Sequence, residues 1–156
     1  MTAPLKSRVS LLKEHGCSKG SCWTKKEFED GGVLAVVGAG WLCFMSERHF
    51  TAGACGLSPT EGGYCDAVAA SSQSSNRLLR VVEVKTQPKF AQAKSQLRKG
   101  VQFVLGLPDV SPDEVAVELH VKAAPKSSVR PQQRDLTVGT RRFSIQLVVG
   151  GKPQFA

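Results

Sequence analysis

The segment 79–86 alternates its side chains in the way that an extended strand requires. Successive side chains of a strand point to opposite faces, so Glu83 and Lys85 would share a face with Leu79 and Val81. The opposite face would carry Arg80, Val82 and Val84. The pattern therefore predicts a strand on which an acid and a base lie side by side.

Asp66 lies upstream of this strand in a second short apolar run, residues 64–69. Residues 71–76, between the two runs, are polar and turn-forming. Two runs joined in this way predict an antiparallel hairpin. Such a hairpin would present the carboxylates of Asp66 and Glu83 together.

A basic amphipathic helix is predicted after Pro88. Apolar residues recur there at spacings of three and four and form one stripe, whereas basic residues line the other faces. The stripe is Phe90, Ala93, Leu97, Val101 and Val104, and the basic residues are Lys89, Lys94, Arg98 and Lys99. The strand that carries Glu83 and Lys85 thus leads directly into this helix.

In this order the residues resemble the PD-(D/E)XK nuclease superfamily, whose core is a hairpin with Asp and then Glu-x-Lys, followed by a helix. Asp66 matches the first acid, and Glu83 and Lys85 match the Glu-x-Lys pair. Cys65 stands where many members have Pro. The resemblance covers roughly the middle third of the chain. It implies an α/β fold with a single central mixed sheet and flanking helices, the αβββαβ restriction-endonuclease-like core.

The resemblance also implies metal-dependent hydrolysis of phosphodiester bonds. Asp66 and Glu83 would ligate Mg²⁺ or Mn²⁺, because hard divalent cations prefer carboxylate and water oxygens. Lys85 would orient the attacking water or offset charge on the phosphate. Gln96, or Lys94 in its place, would occupy the helix position near the site.

Members of the superfamily often add an acid from the first helix. Glu27, Glu29 and Glu47 are the candidates for this acid, and the sequence does not choose among them. Further candidates for the metal site are Glu61, His49 and His15. His15 is included because cap-snatching endonucleases, a branch of the superfamily, use a helical His far upstream of the Asp.

Composition favours one globular domain, residues 1–156, with an acidic partner. The chain has 156 residues, 41% of them hydrophobic, which suits a single core. Its formal net charge of +8 suits a polyanionic partner such as nucleic acid or an anionic membrane surface. Residues 123–142 are predicted to form a flexible basic loop that grips phosphate groups. The expected nucleic-acid contacts are Lys89, Lys94, Arg98, Lys126, Arg130, Arg134, Arg141 and Arg142.

A non-catalytic nucleic-acid-binding or assembly module with the same fold is the alternative. In that case Glu83 and Lys85 would form an ordinary exposed salt bridge on a strand. Aromatic residues make up 6% of the chain, which favours contacts to the nucleic-acid backbone over base stacking. The sequence leaves open whether DNA or RNA is bound, whether cleavage is internal or terminal, and whether the chain forms a homodimer.

The chain has five cysteines, an odd number, and no recognisable leader. These features favour a reducing intracellular compartment, cytoplasm or nucleus, without secretory disulfides. A zinc site from Cys17, Cys22, His49 and Cys55 is disfavoured by the wide spacing. A cysteine protease with Cys55 as nucleophile is disfavoured because its fold does not fit the chain. The apolar segment 33–45 is too short to cross a bilayer, so no membrane insertion is expected.

Other predicted elements are a short helix that ends at Gly16, with His15 in its last turn, and a helical turn over residues 24–30 capped by Thr24 and Glu27. The remaining predictions are strands over 33–37 and 41–44 with a bend at 38–40, a loop over 46–63, a half-buried strand over 115–121 with His120 on its polar side, and a last strand over 143–149.

Overall fold

The computed structural model of the chain describes residues 7–47, 64–87, 89–123, 131–150 and 152–153. The helices are α1 (Arg8–His15), α2 (Phe90–Leu105) and α3 (Pro131–Arg134). The strands are β1 (Trp23–Lys25), β2 (Glu27–Asp30), β3 (Val33–Val36), β4 (Trp41–Phe44), β5 (Ala67–Ser71), β6 (Leu79–Lys85), β7 (Val115–Val121), β8 (Asp135–Val138), β9 (Arg141–Val149) and β10 (Lys152–Pro153). Short 3₁₀ turns precede β1 and β7.

One large mixed sheet forms the centre of the fold, with strand order β1-β4-β5-β6-β7-β9-β10 and β8 also paired to β9. The strands from β1 to β6 pair antiparallel, whereas β6, β7 and β9 pair parallel. The parallel pair β6–β7 is joined through α2, as a parallel connection requires a crossover. The prediction of an α/β fold with a central mixed sheet and flanking helices is confirmed at this level.

The helices α1 and α2 cover one face of the sheet. The predicted stripe of α2 is buried in full and packs on Leu79 and Val81 of β6. Leu12 of α1 joins the same cluster. Burial of this apolar surface stabilises the layer, and the alternation of β6 and the periodicity of α2 predicted it.

The hairpin β2–β3 covers the other face. Phe28 and Ala35 of the hairpin share a second core cluster with Val82 and Val84 of β6. Gly31 and Gly32 form the turn, with φ of +57° and +81°. Two successive residues with positive φ match a type I′ turn, which suits the right-handed twist of the paired strands.

The predicted helical turn over residues 24–30 is therefore wrong. Thr24 lies in β1 and Glu27 begins β2, and Lys26 between them has a φ of +48° that a helix does not allow. The Thr24 and Glu27 spacing imitates a helix cap. Burial of Phe28 between exposed neighbours, and the pairing of β2 with β3, decide for a strand instead.

The prediction that β7 is half-buried, with His120 on a polar face, is also wrong. Both Glu118 and His120 are buried, with 6% and 1% of their surface exposed. Strands β6 and β9 flank β7 on both sides, as expected of a central parallel strand. His120 Nε2 lies 2.8 Å from Glu118 Oε1, so the polar side chains are buried as a bonded pair.

The predicted loop over residues 123–142 is corrected where the structure describes it. Residues 131–134 are helical, and β8 pairs antiparallel with β9 through registers such as Leu136 with Phe143. Leu136 is completely buried, so the segment contributes to the core. Lys126 and Arg130 lie outside the described residues.

Several other predictions are confirmed. Helix α1 ends at His15 with Gly16 as its cap, and β3, β4 and β9 agree with the predicted strands to within two residues at each end. The apolar segment 33–45 forms β3 and β4 and not a membrane span. Within the described part of the chain, every helix is too short or too polar to cross a lipid bilayer.

Candidate metal centre

Asp66 and Glu83 meet at one end of the sheet. Asp66 directly precedes β5, and the register of β5 with β6 pairs Ala67 with Val82, so the next pair outward is Asp66 with Glu83. The backbone N–H of Asp66 donates to Glu83 Oε1 at 3.3 Å. The backbone N–H of Val84 donates to Asp66 Oδ2 at 2.8 Å. The predicted hairpin thus brings these two carboxyl groups together.

Glu47 reaches the same place from β4. Strands β4 and β5 are antiparallel with Phe44 opposite Val68, so the residues that follow Phe44 lie beside those that precede Val68. Ser46 Oγ confirms this by donating to the backbone oxygen of Cys65 at 2.8 Å. Among the three predicted candidates for the additional acid, Glu47 is therefore the one that the fold brings to Asp66.

Asp30, at the end of β2, is a further acid that the sequence analysis missed. Carboxylate oxygens of Asp30, Glu47 and Asp66 lie within 4.8 Å of one another. Asp30 is exposed and Glu47 is half-buried, whereas Asp66 is buried. The group is therefore open to solvent on the side of the β2–β3 hairpin. Asp30, Glu47, Asp66 and Glu83 are called the acidic cluster below.

Burial and mutual repulsion disfavour full ionisation of the acidic cluster. Burial, followed by the neighbouring Glu83, raises the pKa of Asp66 to about 8. The hydrogen bond with Asp66, followed by burial, raises the pKa of Glu47 to about 8. Burial also raises the pKa of Glu83. Carboxyl groups held this close retain protons near neutral pH unless another cation replaces them.

Lys85 supplies one positive charge beside the cluster. Its Nζ lies 3.8 Å from Glu83 Oε2, and the side chain is about a quarter exposed. Glu83 is only 1% exposed, and its Oε2 is buried with no hydrogen-bond partner in the described part of the chain. Lys85 therefore offsets the charge of this buried oxygen from a distance longer than a hydrogen bond.

These donors fit a hard divalent cation. The acidic cluster offers carboxylate oxygens alone, which suit Mg²⁺ or Mn²⁺ and not Zn²⁺ in a structural site. Asp30, Glu47 and Asp66 could share one ion, because their oxygens lie within 4.8 Å of one another. Glu83 lies outside that set and is joined to it through Asp66.

Other predicted site residues lie elsewhere or outside the described residues. Glu27 and Glu29 are exposed on β2, and neither belongs to the group of clustered acids. His15 is exposed at the end of α1. Gln96 is half-buried on α2, and the hydrogen bonds of the described residues do not connect it with the cluster. His49 and Glu61 lie outside the described residues.

Several of the predicted nucleic-acid contacts are engaged within the protein. Arg98 Nε donates to the backbone oxygen of Thr137 at 3.1 Å. Arg141 Nη2 lies 2.6 Å from Asp113 Oδ1, and Arg142 Nη1 lies 4.0 Å from Asp135 Oδ2. Lys89 is exposed, and Lys94 and Arg134 are half-buried.

The cysteines differ in part from the expectation of unpaired thiols. Cys22, Cys43 and Cys65 are buried and form no disulfide, which agrees with it. Cys17 is disulfide-bonded and buried, which counts against it. The predicted intracellular location therefore stays a prediction. The described cysteines give no support to a zinc site.

Comparisons with protein-family models, curated proteins and solved structures found no match for this chain. The resemblance to the PD-(D/E)XK superfamily therefore depends on the residues of the sequence alone.

Proposed function

We propose that this protein is a metal-dependent nuclease of the PD-(D/E)XK type. The observation that carries the proposal is the meeting of Asp66 and Glu83 on adjacent strands, with Lys85 beside them. Within the described residues, the buried Oε2 of Glu83 also lacks a hydrogen bond. This arrangement supports the resemblance to the superfamily, which requires two acids and a lysine in one place.

The order of elements supports the same proposal. After α1, the strands β4, β5 and β6 form a meander, α2 follows, and β7 joins β6 in parallel. This order has the form αβββαβ when the peripheral strands β1, β2 and β3 are set aside. The net charge of +8 favours the approach of a polyanion to an acidic site.

The division of roles follows from the geometry. A bound divalent cation would supply an activated water and stabilise negative charge on the phosphate. Asp66 and Glu83 would fix its position, since their backbone hydrogen bonds hold both side chains to the sheet. Lys85, which is partly exposed, would hold the attacking water or a phosphate oxygen by hydrogen bonding.

Cleavage assays test this proposal. Single- and double-stranded DNA and RNA would be incubated with the protein in Mg²⁺ or Mn²⁺ and in chelator. We expect metal-dependent cleavage that Glu83→Gln reduces about a hundredfold or more, because the substitution removes a charged ligand. Glu27→Gln is the matched control, because Glu27 is an exposed acid on the same hairpin as Asp30. Equal activity of wild type and Glu83→Gln would defeat the proposal.

Thermal unfolding with and without Mn²⁺ tests the metal centre without any substrate. Binding to the folded state stabilises it by about 2.7 kcal/mol at a metal concentration of a hundred times Kd. We expect this stabilisation in wild type and in Glu27→Gln and its loss in Asp66→Asn. A stabilisation that Asp66→Asn leaves intact would place the metal elsewhere.

The non-catalytic module is the second candidate, and the burial of the central acids favours it. Asp66 is 5% exposed and Glu83 is 1% exposed, which restricts the access of a substrate phosphate to them. Nucleic-acid binding that persists in chelator, weakens steeply with salt and is never followed by cleavage would support this candidate over the nuclease.

A further inference from the structure

A cavity of about 240 Å³ lies on the helix-covered side of the sheet edge, apart from the acidic cluster. Trp23 and Leu42 give it an apolar lining, and Ser18 adds a hydroxyl group. Thr24 also lines it, but its hydroxyl donates to Met45 Sδ. Its lysines are Lys13 from α1 and Lys25 from β1. These side chains, together with Gly20, define what is called the Trp23 pocket below.

The indole of Trp23 is held in place in this pocket. Its Nε1–H donates to the backbone oxygen of Cys17 at 2.7 Å. Its ring packs on Phe44, with centroids 5.5 Å apart. The Lys13 ammonium lies over the ring at 5.7 Å from its centroid. The ring is fixed, but the lysine that covers it is exposed. The ammonium can therefore be displaced by a planar ring that stacks on the indole.

We propose that the Trp23 pocket binds one unpaired base of single-stranded nucleic acid, with Lys13 and Lys25 on the flanking phosphates. The cavity is smaller than the roughly 300–1,000 Å³ of complete small-ligand sites, so it suits one ring system and not a whole free nucleotide. Stacking on an aromatic ring accepts any base, and the two lysines match the charge of the backbone. This inference rests on the proposed function and gives it a substrate class.

The position of the pocket relative to the acidic cluster agrees with one continuous strand. Trp23 lies opposite Phe44 in the pairing of β1 with β4, and Glu47 follows Phe44 by three residues. Strand geometry puts the pocket on the order of 10–15 Å from the cluster. A stacked strand rises about 3.4 Å per nucleotide, so a base in the pocket would lie about three to four nucleotides from the phosphate at the cluster.

The low aromatic content of the chain predicted few stacking contacts. Base binding in the Trp23 pocket agrees with this, because it requires only the ring of Trp23. A duplex keeps its bases paired and stacked, so it would offer the pocket only its ends. The proposed nuclease would therefore prefer single strands, overhangs or flaps over blunt duplexes.

Tryptophan fluorescence tests the inference, because the chain has two tryptophans, Trp23 and Trp41. In Trp41→Phe, emission reports on Trp23 alone. Titration in chelator with a single-stranded oligonucleotide should quench this emission to saturation, whereas a blunt duplex of the same sequence should quench it weakly. Binding followed by fluorescence anisotropy of a labelled oligonucleotide should weaken about tenfold in Trp23→Phe.

Charge variants in the wild-type background give a second measurement if Trp41→Phe does not fold. Lys25→Ala should weaken binding and reduce the magnitude of the salt slope by about one. Lys152→Ala is the matched control, since Lys152 is exposed on β10 at the opposite edge of the sheet and should leave both values unchanged.

Oligonucleotide binding without a change in Trp23 emission, or equal affinity of wild type, Trp23→Phe and Lys25→Ala, would overturn the inference. Quenching by an acidic peptide but not by oligonucleotides would do the same. Because binding is measured in chelator, failure of the pocket is separate from failure of the nuclease. Cleavage without quenching would contradict only the proposed base-binding pocket. Quenching without cleavage would contradict only the proposed nuclease activity.

Discussion

At the scale of single residues, Glu118 and Asp66 show how opposite surroundings set the charge of a buried carboxyl group. Burial disfavours the charge of Glu118, but hydrogen bonds from His120 and Arg80 outweigh it and lower the pKa to about 2. Arg80 Nη2 donates to Glu118 Oε1 at 2.9 Å. Asp66 is buried with other carboxyl groups as neighbours, so its pKa rises. The first group stabilises the fold as an anion, and the second is suited to bind a cation.

The lowered pKa of Glu118 predicts a pH-dependent contribution to stability. Because the folded pKa lies below the usual value of 4.5, the contribution is complete above that pH and is lost as the pH falls toward 2. Its size is on the order of 3 kcal/mol. Urea unfolding of wild type and Glu118→Gln should therefore differ most near neutral pH and converge in acid. Parallel curves at all pH values would contradict the assignment.

The residues of the acidic cluster were predictable to different degrees. Asp66, Glu83 and Lys85 follow from one hairpin, so local alternation was enough to place them together. Glu47 could be named but not chosen, because its place depends on the pairing of β4 with β5. Asp30 was missed because Thr24 and Glu27 imitate a helix cap and hide the strand that carries it.

At the scale of elements, helix α2 approaches the sheet closely at Gly100. A Cβ atom at this position would lie 2.5 Å from Cys65 Sγ and 2.6 Å from Val81 Cγ1. Both neighbours are completely buried and have little room to move. The absence of a side chain therefore allows the helix to pack against the residue that precedes Asp66.

Substitution of Gly100 is expected to disturb stability and the metal centre together. Gly100→Ala should lower the free energy of unfolding by about 1–3 kcal/mol, because overpacking outweighs the helix preference of alanine. Since Cys65 adjoins Asp66, Mn²⁺ affinity should also fall. Gly20→Ala is the control, because its Cβ would meet nothing within 4 Å. Equal unfolding midpoints for the two variants would exclude tight packing at Gly100.

The turn of the β2–β3 hairpin gives a second test at this scale. Gly31 has a φ of +57°, and a Cβ atom there would meet nothing within 4 Å, so backbone conformation alone restricts the residue. Gly31→Asn should be tolerated, whereas Gly31→Val should destabilise the hairpin by about 1–2 kcal/mol. Because the turn follows Asp30, titration with Mn²⁺ should show weaker binding in the valine variant only. Similar affinities in both variants would argue that Asp30 is not a ligand.

Sequence periodicity predicted the elements whose burial pattern is set by a single face. β9 and α2 fall in this group, because one apolar stripe packs on one layer, whereas β6 is buried on both faces. β7 was misread because its second face buries Glu118 and His120 as a bonded pair, and alternation does not distinguish a buried polar pair from a solvated one. β8 was missed because a basic, proline-rich composition masks Leu136, the residue that anchors it in the core.

At the scale of the whole molecule, Arg8 ties the first helix to segments far along the chain. Its Nε donates to the backbone oxygen of Arg77 at 3.0 Å, just before β6. Its Nη2 donates to the backbone oxygen of Asp109 at 3.0 Å and to Glu114 Oε1 at 2.8 Å, just before β7. Arg8 is only 1% exposed, whereas its partner Glu114 is 26% exposed. No local pattern in the sequence predicts a contact of this kind.

Substitution of Arg8 should lower the free energy of unfolding far more than substitution of Arg141, an exposed arginine that also forms an ion pair. Arg8→Ala leaves two backbone oxygens and Glu114 without their donor, so we expect a loss of about 3–5 kcal/mol in the free energy of unfolding. Arg141→Ala breaks the ion pair with Asp113, whose side chains are 52% and 85% exposed, and should cost less than about 1 kcal/mol. Urea unfolding at one pH and salt concentration compares the two directly. If both variants lost the same small amount, α1 would be held by its apolar face alone, and the buried arginine would contribute little to joining the two ends of the fold.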